Sequence, residues 1–122
     1  MSTPLFTIPP PSETQPSFAL HQRVFRRDGD VCVYCGAVDV PVQLDHVRPK
    51  AHHAANARPA IVNDPRNLVT ACESCNAAKG PQNLASFAAM LRGRGLAPST
   101  VRTMLARVRA ATRRRLPSAD AP

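Results

Sequence analysis

The chain has no tryptophan and a single tyrosine among its 122 residues. A row of aromatic rings that stacks on single-stranded bases is therefore not expected. No apolar run approaches the roughly 18–20 residues that cross a bilayer, and the N-terminus lacks the charged start and apolar segment of a secretory signal. These absences predict a cytoplasmic protein without a membrane partner.

Acidic residues are scarce as well, with eight against sixteen basic residues and a net charge of +8. Fourteen of the basic residues are arginines, and the segment from Arg92 onward contains eight arginines and one acid, Asp120. Such an asymmetry is typical of proteins with polyanionic partners. A basic surface that only improves solubility would give the same composition.

The length and the proline content predict one small domain with two unstructured ends. Residues 1–16 contain five prolines and few apolar side chains, so we expect a disordered, proline-rich leader there. We expect a folded domain over 17–95, then a basic C-terminal helix over 96–116 that packs on the domain or extends it. A frayed tail is expected over 117–122. About 100 folded residues give little burial, and a bound metal would compensate for it.

Four cysteines form two C-x-x-C pairs, Cys32 with Cys35 and Cys72 with Cys75. Two such turns can supply four thiolates to one tetrahedral Zn²⁺. The pairs are separated by 36 residues, 36 to 71, so the zinc would clamp both ends of an inserted segment. Two disulfides, free thiols or a redox pair are alternatives. The absence of a secretory signal disfavours disulfides, and the absence of a thioredoxin-like pattern disfavours a redox pair.

Local patterns predict a mixture of helices and two short strands. Capping residues, β-branched runs and helical spacing of apolar side chains mark most of the boundaries. The predicted elements are a helix from Ser17 to about Arg27, strands over 42–47 and 67–70, a loop over 50–65, and helices over 72–79, from Asn83 and from Ser99.

Several short segments, taken in their order, resemble the HNH endonuclease family, whose core is a ββα-metal finger. They are Arg27-Asp28-Gly29, Cys32–Gly36, Leu44–Pro49, Asn67-Leu68-Val69 and Cys72–Gly80. The resemblance covers about residues 26–80. It implies a small α+β fold in which a four-cysteine zinc site staples a ββα-metal finger between N- and C-terminal helices. The third signature position, often histidine in the family, is Asn76, and asparagine is also common there.

The same resemblance implies an endonuclease that hydrolyses DNA phosphodiester bonds with one divalent ion, Mg²⁺ or Mn²⁺. His46 would be the general base, Asp45 and Asn76 would bind the ion, and Asn67 would orient the base. The chemistry of the side chains agrees: a neutral imidazole accepts protons near neutral pH, and hard oxygen ligands suit these ions. Neighbours on a strand point to opposite faces. Asp45 and His46 can therefore act on one phosphate only where the strand ends, twists or bulges.

Basic side chains near this constellation and on the last helix are candidates for contacts with double-stranded DNA. Arg48 shares the strand face of His46. Lys79 lies one turn beyond Asn76, where it would contact phosphate or cap the helix C-terminus. On the C-terminal helix, arginines would neutralise phosphates without reading sequence, or would only form a solvated face. The candidates on that helix are Arg102, Arg109 and Arg113.

Two other functions fit parts of the pattern. A non-catalytic zinc-containing module that binds nucleic acid needs the cysteines and arginines, but not Asp45, His46 and Asn76 together. A zinc finger that binds protein would not need the arginines. If the chain is a nuclease, a monomer would nick one strand and a homodimer would cut both.

Overall fold

The computed structural model describes residues 16–54 and 57–117. Within these ranges the protein is a small α+β structure with five α-helices and one two-stranded sheet, so the predicted fold class is confirmed. The predicted leader and tail fall almost entirely outside the described residues.

The elements follow the predicted order along the chain. No helix within the described ranges is long and apolar enough to span a membrane. The helices are α1 (Phe18–Asp28), α2 (Pro59–Val62), α3 (Glu73–Lys79), α4 (Leu84–Gly93) and α5 (Pro98–Arg113), the strands are β1 (Val42–His46) and β2 (Leu68–Cys72), and short 3-10 turns cover Lys50–His52 and Pro65–Asn67.

Side-chain caps set two of the helix starts where the sequence predicts them. The Ser17 hydroxyl accepts from the backbone N–H of Leu20 at 3.1 Å at the start of α1. The Asn83 side chain accepts from the N–H of Ser86 at 2.8 Å at the start of α4. In both cases the cap satisfies an N–H group that has no partner within its helix.

Two boundaries differ from the prediction. Ser99 does not cap α5, because the helix begins at Pro98 and Ala97 is its N-cap. Proline suits the first helical position, where its missing N–H costs nothing and its fixed φ is already helical. The predicted loop over 50–65 contains α2, which Pro59 starts in the same way. A helix of one turn is too short to show an apolar period in the sequence.

Strand β2 lies at the centre of the molecule and is covered on both faces. It pairs antiparallel with β1, from Val42 opposite Cys72 to His46 opposite Leu68. All four residues from Leu68 to Ala71 are buried. Alternate side chains face opposite ways: Thr70 contacts α1, whereas Val69 joins the main core. That core also includes Val33, Tyr34, Ala71, Phe87, Ala88, Val101, Met104, Val108 and Ala111.

A buried ion pair at the end of α1 fastens this helix to β2. Arg27 Nε donates to Asp28 Oδ1 at 2.8 Å, and the two side chains are 1% and 0% exposed. The Arg27 guanidinium also donates to the carbonyls of Pro65 at 2.8 Å and Leu68 at 2.5 Å. Asp28 Oδ2 accepts from the backbone N–H of Thr70 at 3.0 Å. The pair is therefore fully hydrogen-bonded, as a buried charge must be.

The last helix is fastened to the loop that carries the first two cysteines. Arg107 Nε donates to the Val33 carbonyl at 2.9 Å, and its Nη2 donates to the Tyr34 carbonyl at 2.6 Å. Gly36 leaves room for this guanidinium, since a Cβ there would lie 3.3 Å from it, and its φ of +81° favours glycine. Composition alone groups Arg107 with the surface arginines, whereas the structure gives it a docking role.

Removal of the buried guanidinium should destabilise the fold. We expect Arg27→Ala to lower the free energy of unfolding by about 3–5 kcal/mol, because Asp28 would be left as an uncompensated buried charge. Urea denaturation followed by circular dichroism measures the change. The matched control is Arg92→Ala, which removes an exposed arginine and should change stability by no more than about 0.5 kcal/mol. Equal effects of the two substitutions would contradict this role for the pair.

Candidate metal centre and active site

The four cysteine sulfurs converge on one point. All four Sγ atoms lie within 4.8 Å of one another, and those of Cys35 and Cys72 are 4.0 Å apart. Tetrahedral Zn–S bonds of about 2.3 Å would place sulfurs about 3.8 Å apart. All four cysteines are free thiols, with no disulfide among them. The donor set and its spacing therefore fit Zn²⁺, as the two C-x-x-C pairs predict.

Each cysteine pair is shaped by its own turn. The backbone N–H of Cys35 points to Cys32 Sγ at 3.4 Å, and that of Cys75 points to Cys72 Sγ at 3.5 Å. Burial, together with the charge of Cys32, raises the pKa of the Cys75 thiol. Several thiolates at this spacing repel one another, and a divalent cation at their centre removes that repulsion.

Asp45 is buried beside two fixed hydrogen-bond donors. The Tyr34 hydroxyl donates to Asp45 Oδ2 at 2.5 Å, and Lys79 Nζ lies 3.1 Å from the same oxygen. Tyr34 is 2% exposed, and its ring packs edge-on against Phe87. Burial and the neighbouring carboxylate raise the pKa of Tyr34, so its hydroxyl stays protonated and donates. Within the described residues no hydrogen bond reaches Asp45 Oδ1, so this oxygen is the one that can bind an ion.

The ammonium of Lys79 makes its contacts inside the protein and not at the surface. Its side chain is 0% exposed, and its ammonium also donates to the backbone carbonyl of His46 at 2.9 Å. Among the described residues, the ammonium compensates the buried charge of Asp45, a role that the sequence does not predict for Lys79. These bonds hold the side of α3 that carries Lys79 against the end of β1.

Asn76 lies on that same side of α3, because it precedes Lys79 by three residues. Its side chain is partly buried. No hydrogen bond to its carboxamide is found among the residues that the structure describes. Asn76 therefore lies on the side of α3 that faces β1 through Lys79.

His46 is the last residue of β1, and its half-buried ring contacts Asn63. The imidazole Nε2 lies 2.8 Å from Asn63 Oδ1. A carboxamide oxygen only accepts, so Nε2 carries the proton and Nδ1 keeps its lone pair. Burial lowers the pKa of His46, and the Asn63 hydrogen bond opposes this; the charges of Lys50 and Lys79 lower it further, whereas that of Asp45 raises it. The result is a neutral imidazole that can accept a proton at Nδ1.

Asp45 and His46 leave the sheet on opposite faces. Asp45 pairs with Val69 and His46 with Leu68 across the ladder. The strand ends at His46, which meets one of the conditions that the sequence sets for both residues to act on one phosphate. The carboxylate faces Tyr34 and α3, and the imidazole faces the loop after α2.

Asn67 holds the chain that follows His46 and does not touch its ring. Its Oδ1 accepts from the N–H of Arg48 at 2.7 Å, and its Nδ2 donates to the carbonyls of Arg48 at 3.1 Å and Val62 at 3.0 Å. The direct partner of the imidazole is Asn63, which the sequence motifs do not single out. Its only sequence signal is an Asn-Asp-Pro turn, which is typical of a fixed loop.

The arginines predicted to contact DNA are exposed. Arg48 lies in the loop after β1, where its Nη2 donates to the His52 carbonyl at 2.7 Å. Arg102, Arg109 and Arg113 are exposed on α5, and their spacings of seven and four positions put them on one side of the helix.

Comparison with known proteins identifies the family of the segment that carries this site. A family model described as HNH endonuclease matches residues 32–82, a range that includes all four cysteines and all the residues around His46. Residues 32–82 belong to the HNH endonuclease family. The resemblance predicted from the sequence is thereby confirmed, and membership of the HNH family supports a nuclease-type function.

Among solved structures, the HNH-containing chain is similar to the Type II-C Cas9 enzyme from Actinomyces naeslundii. The alignment has 23% sequence identity and a TM-score of 0.39, and it covers 78% of this chain and 12% of that chain. No curated protein matches the chain.

Loss of one thiol should cost the HNH domain its zinc and most of its folded structure. We expect this of Cys72→Ser, because the metal supplies stability that so small a core lacks. Zinc content by atomic emission and far-ultraviolet circular dichroism measure both losses. The matched control is Ser74→Ala, an exposed position between Cys72 and Cys75, which should keep both. A Cys72→Ser protein that stays folded and zinc-loaded would contradict the assignment.

Proposed function

We propose that the HNH domain is a metal-dependent endonuclease that hydrolyses DNA phosphodiester bonds, with His46 as general base and one divalent ion. The observation that carries the proposal is the state of His46: a lowered pKa and a ring held at Nε2 by Asn63. This neutral base follows Asp45 directly in β1, and we propose that Asp45 and Asn76 supply the oxygen ligands of the ion beside it.

The oxygen donors fit a hard divalent ion such as Mg²⁺ or Mn²⁺. Asp45 would offer Oδ1, since its other oxygen is bound by Tyr34 and Lys79, and Asn76 would offer its carboxamide oxygen. Two protein ligands leave positions for phosphate oxygens and water. When bound, the ion supplies positive charge that stabilises the charge developing on the phosphate.

The protein's own groups orient the reaction and move the proton. His46 accepts the proton of the attacking water at Nδ1. Asn63 keeps the ring in the required tautomer, and Asn67 fixes the chain just after His46, which is an indirect form of the orienting role predicted for it. Tyr34 and Lys79 hold the Asp45 carboxylate in one orientation, in the way that partners of metal ligands generally do.

The proposed substrate is double-stranded DNA. A net charge of +8 and the exposed row of Arg102, Arg109 and Arg113 favour a polyanion. Arg48 lies two residues beyond His46 and would contact the same strand. A monomer would nick one strand and a homodimer would cut both. Four unbridged cysteines suit the reducing cytoplasm.

A non-catalytic zinc-containing module that binds nucleic acid is the second candidate. One observation favours it: the Asp45 carboxylate already has two partners, Tyr34 and Lys79, as a purely structural acid would. Such a module would bind duplex DNA in a salt-sensitive way and would leave it uncut whichever divalent metal is added.

Removal of the imidazole should abolish cleavage. In a plasmid assay with Mg²⁺ or Mn²⁺, we expect His46→Ala to lower the rate by about 10²-fold or more, because the variant loses the group proposed to take the proton from water. Zinc content and the unfolding midpoint should persist. The matched control is His52→Ala, which removes an exposed histidine in the following turn and should cut like the wild type. Undiminished cleavage by a folded His46→Ala protein would refute the assignment of the base.

Removal of the Tyr34 hydroxyl should weaken the binding of the catalytic ion. Because Tyr34→Phe frees one side of Asp45, we expect Mn²⁺ to bind about 10- to 100-fold more weakly. Electron paramagnetic resonance of free Mn²⁺, without DNA, measures this affinity, and zinc content should not change. Thr103→Val is the matched control, since the Thr103 hydroxyl donates to the Ser99 carbonyl within α5, away from Asp45. If Tyr34→Phe binds Mn²⁺ as tightly as the wild type, the hydroxyl does not orient the ligand.

A further inference from the structure

A pocket rich in arginine lies where three segments meet: α1, the 3-10 turn before β2, and the end of α5. Its volume is about 640 Å³. We call it the arginine pocket, and its charged lining consists of Arg23, Asp64, Arg66, Arg113, Arg114 and Arg115.

The arginine pocket has a large uncompensated positive charge. Five arginines face one acid, and that acid is already paired: Arg66 Nε and Nη2 donate to the two carboxylate oxygens of Asp64 at 3.0 Å and 2.9 Å. Five positive charges less one negative charge leave four. In the described part of the chain, no hydrogen-bond acceptor reaches the guanidinium groups of Arg113, Arg114 or Arg115. Like charges so concentrated repel one another and destabilise the fold unless an anion binds.

The walls of the pocket are held in place by hydrogen bonds that leave the guanidinium groups of Arg113, Arg114 and Arg115 unused. Arg23 Nε donates to the Pro117 carbonyl at 2.8 Å, which ties α1 to the chain after α5. The buried Arg27 donates to the Pro65 carbonyl at 2.8 Å, which ties α1 to the turn. The charges therefore stand around a fixed concavity and not along a loose tail.

The pocket is close to the proposed catalytic site along the chain. Asn63, which contacts the His46 ring, precedes Arg66 by three residues, so their Cα atoms are at most about 11 Å apart. Phosphates of one DNA strand succeed one another at about 3.4 Å of helix rise. One wall of the pocket is thus separated from the residue that contacts the His46 ring by a distance that a few nucleotides span.

We propose that the arginine pocket binds a backbone phosphate of DNA that flanks the cleavage position. Guanidinium groups bind phosphate oxygens in pairs, through two parallel N–H donors, and several of them converge here. The pocket lies at the C-terminal end of α5, apart from Arg102 and Arg109, and would add a further phosphate contact there. The proposal rests on the proposed nuclease function in taking DNA as the ligand.

The test measures DNA binding in a protein that cannot cut. In the His46→Ala background, the affinity for a labelled duplex of random sequence is followed between about 50 and 200 mM KCl, where its logarithm falls linearly with that of the salt. We expect Arg114→Gln with Arg115→Gln to weaken binding throughout and to reduce the slope by about one, the value for one phosphate contact. Arg66→Gln, on another wall, should act in the same direction.

The matched control changes the same charge elsewhere. Arg92→Gln with Arg94→Gln replaces two exposed arginines at the end of α4, outside the pocket, and should leave the slope unchanged. Equal effects of the two pairs would overturn the proposal, because the pocket would then contribute only net charge. An unchanged slope in the pocket variants would overturn it too. If the wild type cuts plasmid and the pocket variants bind DNA as tightly as their parent, the pocket proposal is refuted and the nuclease proposal stands. If the pocket variants lose DNA binding but the wild type never cuts, the nuclease proposal is refuted and the pocket proposal stands.

Discussion

The convergence of four thiols is the constraint on which the rest of the structure depends. One cysteine pair lies in the loop after α1, and the other lies at the junction of β2 and α3. A metal that joins them closes a loop of 36 residues that contains β1, α2 and most of β2. The chain is too small to fix this loop by burial alone. The Arg27–Asp28 pair and Arg107 then brace the same region from α1 and α5, so the cluster is held by helices on two sides.

The site on this frame follows from how buried charges are compensated. Asp45 is stable in the interior because Tyr34 and Lys79 bind one of its oxygens, and this arrangement spares the other oxygen for a cation. His46 points to the other face of the sheet, where burial keeps the imidazole neutral and Asn63 holds it in one tautomer. The proton acceptor and the oxygen donors would thus approach a phosphate from two sides of one strand end. Loss of the Lys79 ammonium would disturb both Asp45 and His46, because Lys79 also donates to the backbone carbonyl of His46.

The features that were predictable from the sequence are those with a local code. The C-x-x-C turns, the Ser17 and Asn83 caps and the β-branched run before Pro49 each depend on neighbours within a few residues. The partners of the site are set instead by packing between distant segments: Tyr34 meets Asp45 across 11 positions, and Arg107 meets Val33 across 74. Sequence alone favours a surface position for Lys79, because lysine is rarely buried without a partner, and that partner is visible only once α3 is placed against β1.

Anomalous diffraction from crystals grown with zinc and soaked in Mn²⁺ tests the central claim most directly. The account predicts a zinc peak among the four sulfurs and a manganese peak bound by Asp45 Oδ1 and the Asn76 carboxamide, beside the His46 ring. A thiol cluster without zinc, or manganese bound away from Asp45 and Asn76, would contradict it.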